Sequence, residues 1–472
     1  MRGSLAGDAS LAIGDAVSDD RRSLIIARLE RIPFSRFHLR LASILGVGTF
    51  FDAFDALTIA VALTVIFASL HIGFVNAGLL ISAGYAGQFV GAWVFGYLSE
   101  VYGRKFAFIA SMTLFGLLSI ATAFAWNFES LFVLRIVQGL GLGGEVPAAA
   151  ALFNEYLRTA NRGRIGLIYQ SIFIWGALLA PVIGLVVFKM FGQDVGWRVL
   201  FLLGGLPLLD ALYGMVALPE SVRWLAHRGR ASEAEKILDE METQPRRQPL
   251  PPLAIRPQAP QQKMRLGELF APAYRRRTIV VWVQSAATFF VAYGYNIWLP
   301  TLYVKIGGLP VSYALTLSIV SWAVTLGTMY TQAFLLDSIG RKPLFVAGFA
   351  MIALGGIGGA LIVAGLHATG WQILFSVQLF MGFGTAMNSS AGITYTAELY
   401  PTRMRGWGVS MASSMNRLAS IVAPSAVGML LAAQMGIGSV FAMFGAVGLV
   451  AMIVLATMGI ETKHRSLEEL SP

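Results

Sequence analysis

The chain has 472 residues, 56% hydrophobic and only 13% charged; roughly a quarter of a soluble domain is charged, so a soluble fold is excluded. Cysteine is absent, which excludes disulfides, thiolate metal sites and a cysteine nucleophile. The formal charge of +10 has the sign of a nucleic-acid binder, and its distribution along the chain decides what it means.

Residues 1–40 read as a polar tail. Ser4 to Asp20 lacks the apolar h-region of a signal peptide. Ser23 to Pro33, SLIIARLERIP, has the spacing of a short basic amphipathic helix lying on the membrane surface, with a solvated tail as the alternative.

Twelve apolar stretches follow. Six, at 41–69, 75–98, 106–126, 130–156, 165–188 and 198–218, make a bundle over 41–218. Six more, at 278–304, 311–336, 343–366, 371–397, 407–433 and 436–459, make a second over 278–459. Each is long enough to cross ~30 Å of hydrocarbon, which predicts an all-α membrane protein with twelve transmembrane helices in two six-helix bundles. The linker at 219–277 starts with a helical charge pattern, SVRWLAHRGRASEAEKILDEME, and continues Pro/Gln-rich and extended. Residues 460–472 form a second tail.

Twelve spans put both termini on one side. With that side cytoplasmic, 30 of the 35 Lys and Arg lie in cytoplasmic segments. Lys189, Arg198 and Lys305 fall in the opposite loops, and Arg135 and Arg417 lie inside spans. This is the positive-inside pattern, so the basicity reports topology and not nucleic acid. The five histidines stand singly, without metal-ligand spacing. No metal site and no nucleophile–base pair emerges, so the expectation is a protein that is not an enzyme.

The halves echo each other. GYLSEVYGRK at 96–105 is matched by LDSIGRK at 336–342, an offset of 237. EYLRTANRG at 155–163 is matched by ELYPTRMRG at 398–406, an offset of 243, and LPESVR at 218–223 more loosely by IETK at 460–463. Near-constant spacing argues for duplication of a six-helix unit, and two repeats with a site between them are a transporter architecture.

These motifs carry a resemblance. GYLSEVYGRK resembles the loop between helices 2 and 3 of the major facilitator superfamily, with Glu100 where an aspartate is usual, and RIVQGLGLGG at 135–144 resembles its helix 4 motif. PESVRWL at 219–225 and ETKHRSLEEL at 461–470 resemble sugar porters, yet span 7 reads VQSAATFF at 283–290 in place of their double glutamine. FDAFD at 51–55 is similar to the paired aspartates of aromatic-acid:proton symporters, with Ala53 where they carry glycine. GEVP at 144–147 resembles bacterial nicotinate carriers, and AELYPTR at 397–403 occurs across these groups and the synaptic vesicle glycoproteins. The resemblance favours the organic-acid branch. It implies a monomer and a cytoplasmic gate of Glu100, Arg104, Asp337, Arg341, Glu155, Arg162, Glu398 and Arg405 that latches the halves when the carrier faces outward. Ordinary surface ion pairs, worth under ~1 kcal/mol each, are the plainer reading of those charges.

Physical reasoning reaches the site independently. Asp52, Asp55, Glu145 and Arg417 each lie about 11 to 14 residues from the cytoplasmic end of a span, roughly 16–21 Å deep and close to the midplane. Charges in hydrocarbon are costly and normally face a cavity with a task. Asp52 and Asp55 share a helix face, and two carboxylates in a dry site do not readily both ionise. Asp55, Asp52 and Glu145 are therefore the proton-coupling candidates, with an internal ion pair as the alternative for the aspartates. Arg417 offers the planar fork that matches a carboxylate in two bonds. It is the leading substrate contact, unless a span 1 aspartate satisfies it permanently. Gln170 and Asn296 are mid-span amides, Tyr293 and Trp175 are rings on which an aromatic substrate can stack, and Asn388 is a further polar candidate. Arg135 belongs to a structural or relay role, and Asp210 has no evident one.

The expectation is a secondary carrier for a small organic anion, with an aromatic or heteroaromatic carboxylate favoured. A proton gradient drives it and no cofactor is needed, in a bacterial inner membrane. A sugar or polyol carrier, and a non-transporting receptor on the same fold, remain the alternatives.

Overall fold

A computed structural model of the protein describes residues 21–158, 162–244, 249–253, 266–366 and 370–463. The side chains at 162–164 and 333–338 are outside that description, so Arg162 and Asp337 are too. Helix is the outcome that hydrocarbon imposes, because every backbone N–H and C=O must be satisfied within the segment. Helix α1 covers 21–31. The N-terminal bundle comprises α2 (Arg36–Ser69), α3 (Phe74–Tyr102), α4 (Arg104–Ala123), α5 (Phe128–Tyr156), α6 (Arg162–Leu203) and α7 (Pro207–Ala217). The short helices α8 (Val222–His227) and α9 (Ala231–Thr243) follow in the linker. The C-terminal bundle comprises α10 (Pro272–Asn296), α11 (Leu299–Lys305), α12 (Val311–Ile339), α13 (Arg341–Leu366), α14 (Trp371–Leu399), α15 (Thr402–Ala432) and α16 (Gly436–Met458).

Among the described residues, ten segments are long and apolar enough to cross a membrane. One of them, Ile168–Ala217, is 50 residues long and reverses at Gly192, whose φ of 74° breaks the helix. It therefore makes two passes, and α14, with 29 residues, completes twelve. The loop expected between spans 5 and 6 shrinks to that left-handed glycine, a conformation open to a residue without Cβ. Span 7 was expected as one helix, but it divides between α10 and α11, where Pro300 enters and removes a helical hydrogen bond.

Packing depends on missing side chains. Gly84, Gly87 and Gly91 of α3 face Gly139 and Gly143 of α5, and a Cβ on Gly87 would run into the Ile136 carbonyl. Small residues at such a seam let backbones approach where no hydrophobic drive exists between helices.

The loop repeats acquire a physical cause. Glu220 accepts from the backbone N–H groups of Arg104 and Lys105 at 2.9 and 3.2 Å, while Glu461 accepts from those of Arg341 and Lys342 at 3.0 Å each. In each half a distant carboxylate thus caps the positive end of a helix. Gly103 and Gly340, with φ of 107° and 101°, make the turns that expose those N–H groups.

The helix expected on the membrane surface is placed elsewhere. Ile25 and Leu29 of α1, with Ile32 just after it, are buried in one cluster with Leu225, Leu238 and Met241 of α8 and α9, so this apolar stripe is turned to the linker helices. Arg28 donates to Asp239 at 2.6 Å and to Glu242 at 2.8 Å, and Arg31 donates to Glu242 at 2.8 Å. Acidic α9 therefore captures basic α1. Although partial burial opposes it, the hydrogen bonds from Arg28 and Arg31 hold the Glu242 carboxyl below its usual range.

The halves meet on the face opposite the termini. There Ser82 of α3 donates to the Ile421 carbonyl of α15 at 2.6 Å, and Phe74 of α3 lies 6.0 Å from Trp298.

Two outcomes are expected. Gly87→Ala should cost about 1–3 kcal/mol through overpacking, seen as a lower unfolding temperature of the purified protein. Glu242→Ala should free α1 at a cost of about 1–3 kcal/mol, seen as faster tryptic cleavage after Arg28 and Arg31. Because the folded carboxyl titrates low, the clamp is fully present above the ordinary glutamate value of about 4.3 and is lost as pH falls below it.

Candidate transport site

A buried ion pair lies inside the N-terminal bundle. Asp55 of α2 and Arg135 of α5 are 1% and 4% exposed, and Arg135 Nη1 lies 2.8 Å from Asp55 Oδ2 and 3.0 Å from Oδ1. Gln138, one turn along α5, accepts from Arg135 at 2.9 Å and donates to Asp55 at 2.8 Å. Gly84 makes room for the guanidinium, since a Cβ there would sit 2.8 Å from Nη2. Two opposite charges in hydrocarbon are thus paired with each other and joined by one amide that serves both.

Asp52 lies one turn away on α2 and makes no hydrogen bond or ion pair among the described residues. The charged groups that act on it are Arg417 of α15 and Asp55 of its own helix. Arg417 reaches across from the C-terminal half, and Nη1 donates to Gln88 of α3 at 3.1 Å. Their separation exceeds ion-pair distance, so Arg417 keeps donors unspent. Tyr293 of α10 lines the same place, edge-on to Tyr85 at 5.0 Å and stacked on Phe289 at 5.5 Å. A guanidinium with free donors, an aromatic wall and a carboxylate from the other half make a site suited to a flat anion.

The relatives of the chain bear on what such a site does. The family model described as "Sugar (and other) transporter" matches residues 47–472. The chain belongs to this transporter family. It is 30% identical to a niacin transporter of Acinetobacter baylyi over 94% of this chain and 99% of the relative. It is also 30% identical to the 3-(3-hydroxy-phenyl)propionate transporter of Escherichia coli over 77% of this chain and 79% of the relative. The fold is that of the inward-open xylose transporter of E. coli, at a TM-score of 0.73, with 18% identity and coverage of 92% and 99% of the two chains. The protein is accordingly a multi-pass membrane transporter of the major facilitator type, with a small molecule as substrate, and not an enzyme.

In this transporter the other candidates separate by position. Glu145 of α5 is fully buried against α2, and Gly48 gives it space. Gln170 and Trp175 of α6 are exposed and form no hydrogen bond or ring contact with the Arg417 group. Asn296 is half-buried at the end of α10. Asn388 of α14 keeps both its side-chain Nδ2 and Oδ1 without a hydrogen-bond partner among the described residues. It is 0% exposed, and its Oδ1 lies where a Cβ on Gly348 of α13 would come within 2.5 Å, inside the C-terminal bundle. Small Gly348 admits the amide there.

Among the described residues the loop charges of the termini face that pair do so within their own half. Arg104 donates to Glu100 at 2.9 Å and to Glu155 at 3.3 Å, and Ser221 donates to Glu155. Arg341 donates to Glu398 at 3.0 Å, and Thr462 donates to the same carboxylate at 2.5 Å. Arg405 keeps Nε and Nη2 buried without a hydrogen-bond partner.

Sequence reasoning passed over Gln138, Thr49 and Tyr169. Gln138 had a signal, since three residues after Arg135 it shares that residue's helix face. Thr49 and Tyr169 had none, because their meeting depends on how α2 and α6 pack.

Arg135→Gln strips Asp55 of its partner in hydrocarbon and should cost about 3–5 kcal/mol. Adding Asp55→Asn to that variant should recover most of the loss. Thermal unfolding of the single and double variants in detergent measures both.

Proposed function

We propose that this transporter is a proton-coupled symporter of small organic anions, with aromatic and heteroaromatic carboxylates its preferred class. The observation that carries the reading is Arg417: a part-buried guanidinium between the halves whose one described hydrogen bond goes to an amide, beside an aromatic wall. A guanidinium at membrane depth needs an anion, and a substrate carboxylate fits its fork in two bonds. Two relatives are named for niacin and 3-(3-hydroxy-phenyl)propionate, both of them ring-bearing carboxylates. The sugar or polyol alternative draws on the sugar-porter-like loops, and it requires Arg417 to be satisfied internally, which one bond to Gln88 does not achieve.

In this mechanism Asp55 takes up the proton. Protonation turns its ion pair with Arg135 into a weaker hydrogen bond, which frees Arg135 and loosens α2 from α5 next to the substrate. The halves then rock about the site as the capped bundles they are. The positive-inside charge pattern puts both termini in the cytoplasm of a bacterial inner membrane. With the halves joined on the opposite face, the site opens to the cytoplasm, and the gate charges, sorted within each half, stand ready to pair when that side closes. The carrier acts as a monomer, and the proton gradient takes the place of any cofactor.

Uptake into proteoliposomes tests this, with labelled nicotinate, benzoate, succinate, glucose and xylose, with and without an inward proton gradient. Nicotinate or benzoate uptake should follow the gradient, and Arg417→Ala and Asp55→Asn should each reduce it at least about tenfold, as losing a charge-assisted contact does. Sugar uptake that survives Arg417→Ala would sink the reading.

A further inference from the structure

One buried charge plays no part in the mechanism so far. Glu145 is 0% exposed, and its Oε2 has no hydrogen-bond partner. Its Oε1 has a single one, the Thr49 hydroxyl at 3.4 Å. That hydroxyl is shared with Tyr169 at 2.8 Å, whose own OH also reaches the Leu45 carbonyl at 3.0 Å. The space is built for the group, because a Cβ on Gly48 would lie 2.5 Å from Oε1.

The titratable groups that act electrostatically on Glu145 are Asp52 of α2, Tyr169 of α6, Asp210 of α7 and Arg417 of α15. Two of the three ionic ones are carboxylates, and Arg417 forms no ion pair with it. Asp55 differs in having its own arginine. A carboxylate with no cation is strongly disfavoured in hydrocarbon, and something positive must bind there. A metal ion is a poor candidate: one hydroxyl at 3.4 Å is too distant a ligand, and the described residues contain no group of three His, Cys, Asp or Glu able to hold one. A proton needs only the free Oε2.

Asp210 supplies an exit. It lies eight residues before Leu218, so about 12 Å from the face that carries the termini. Its Oδ2 is likewise buried without a partner.

We propose that Glu145 is a second proton-binding site, separate from the Asp55–Arg135 pair, and that its proton leaves towards the termini face by way of Asp210. One proton binds Glu145 Oε2, and the same proton passes to Asp210 Oδ2 and on to water, so each carboxylate returns to its starting form. The proposal rests on the symport reading for its role in transport, but proton binding by Glu145 can be tested without any substrate.

Infrared difference spectra of the purified full-length protein, recorded across a pH titration, read protonated carboxyl groups directly. A carboxylic C=O band should be present in the wild type and in Asp55→Asn, shifted in Glu145→Asp and missing in Glu145→Gln. Identical spectra for wild type and Glu145→Gln would overturn the proposal. In proteoliposomes with labelled nicotinate, Glu145→Gln should lower gradient-driven uptake about tenfold more than it lowers nicotinate exchange. Asp210→Asn should act in the same direction, more weakly. An equal fall in both modes, or uptake driven by sodium in place of protons, would overturn the coupling role. Wild-type uptake indifferent to the proton gradient would remove the symport reading, while the infrared band would still decide proton binding by Glu145.

Discussion

A guanidinium cannot stand bare in hydrocarbon, and the N-terminal bundle is organised around meeting that demand at Arg135. The fork must touch a carboxylate, the carboxylate must come from another helix, and an amide must fill the remaining valences. Asp55 and Gln138 do this at 2.8–3.0 Å. The demand fixes the rotation of α2 and α5 about their axes. It also requires the glycine on α3 that leaves room for the side chain. With α2 held in that rotation, Asp52 points to the other half and Glu145 is enclosed behind Thr49.

The two arginines within the spans show how one residue type serves two ends. Arg135 has its counter-ion inside its own bundle, so its charge is neutralised wherever the halves stand. Among the described residues Arg417 reaches over the boundary and finds only the Gln88 amide, with Asp52 beyond ion-pair distance. Full pairing of Arg417 would have welded the halves together; left short, it keeps donors open for the carboxylate of the proposed substrate.

Rigid halves are the other requirement for rocking, and the fold meets it by two devices. Glycine seams such as that between α3 and α5 lock backbones at close range. At the termini face, Glu220 and Glu461 cap helices within their own half, and Glu155 and Glu398 bind Arg104 and Arg341 likewise. The N-terminal half carries an extra brace, with α1 clamped on α8 and α9 by Arg28 and Arg31. Motion is thereby left to the boundary between the halves.

Composition, span length and charge placement determined the class by themselves, because the bilayer leaves few choices to a chain this apolar. The repeated loops disclosed the duplication, and buried charge marked Asp52, Asp55, Glu145 and Arg417 as a group, since no packing role needs four charges at one depth. Partners were beyond reach. Whether Asp55 pairs with Arg135 or with Arg417 depends on helix rotation, which apolar residues on all sides of a span do not specify. The same ambiguity left unread that Asn388 packs beside Gly348. It also hid the capture of α1, whose amphipathic face fits acidic α9 as well as a lipid surface. Sequence settles which residues are expensive in a membrane, because that cost belongs to each side chain alone; only tertiary structure decides how each cost is met, because the partner arrives from a helix far along the chain.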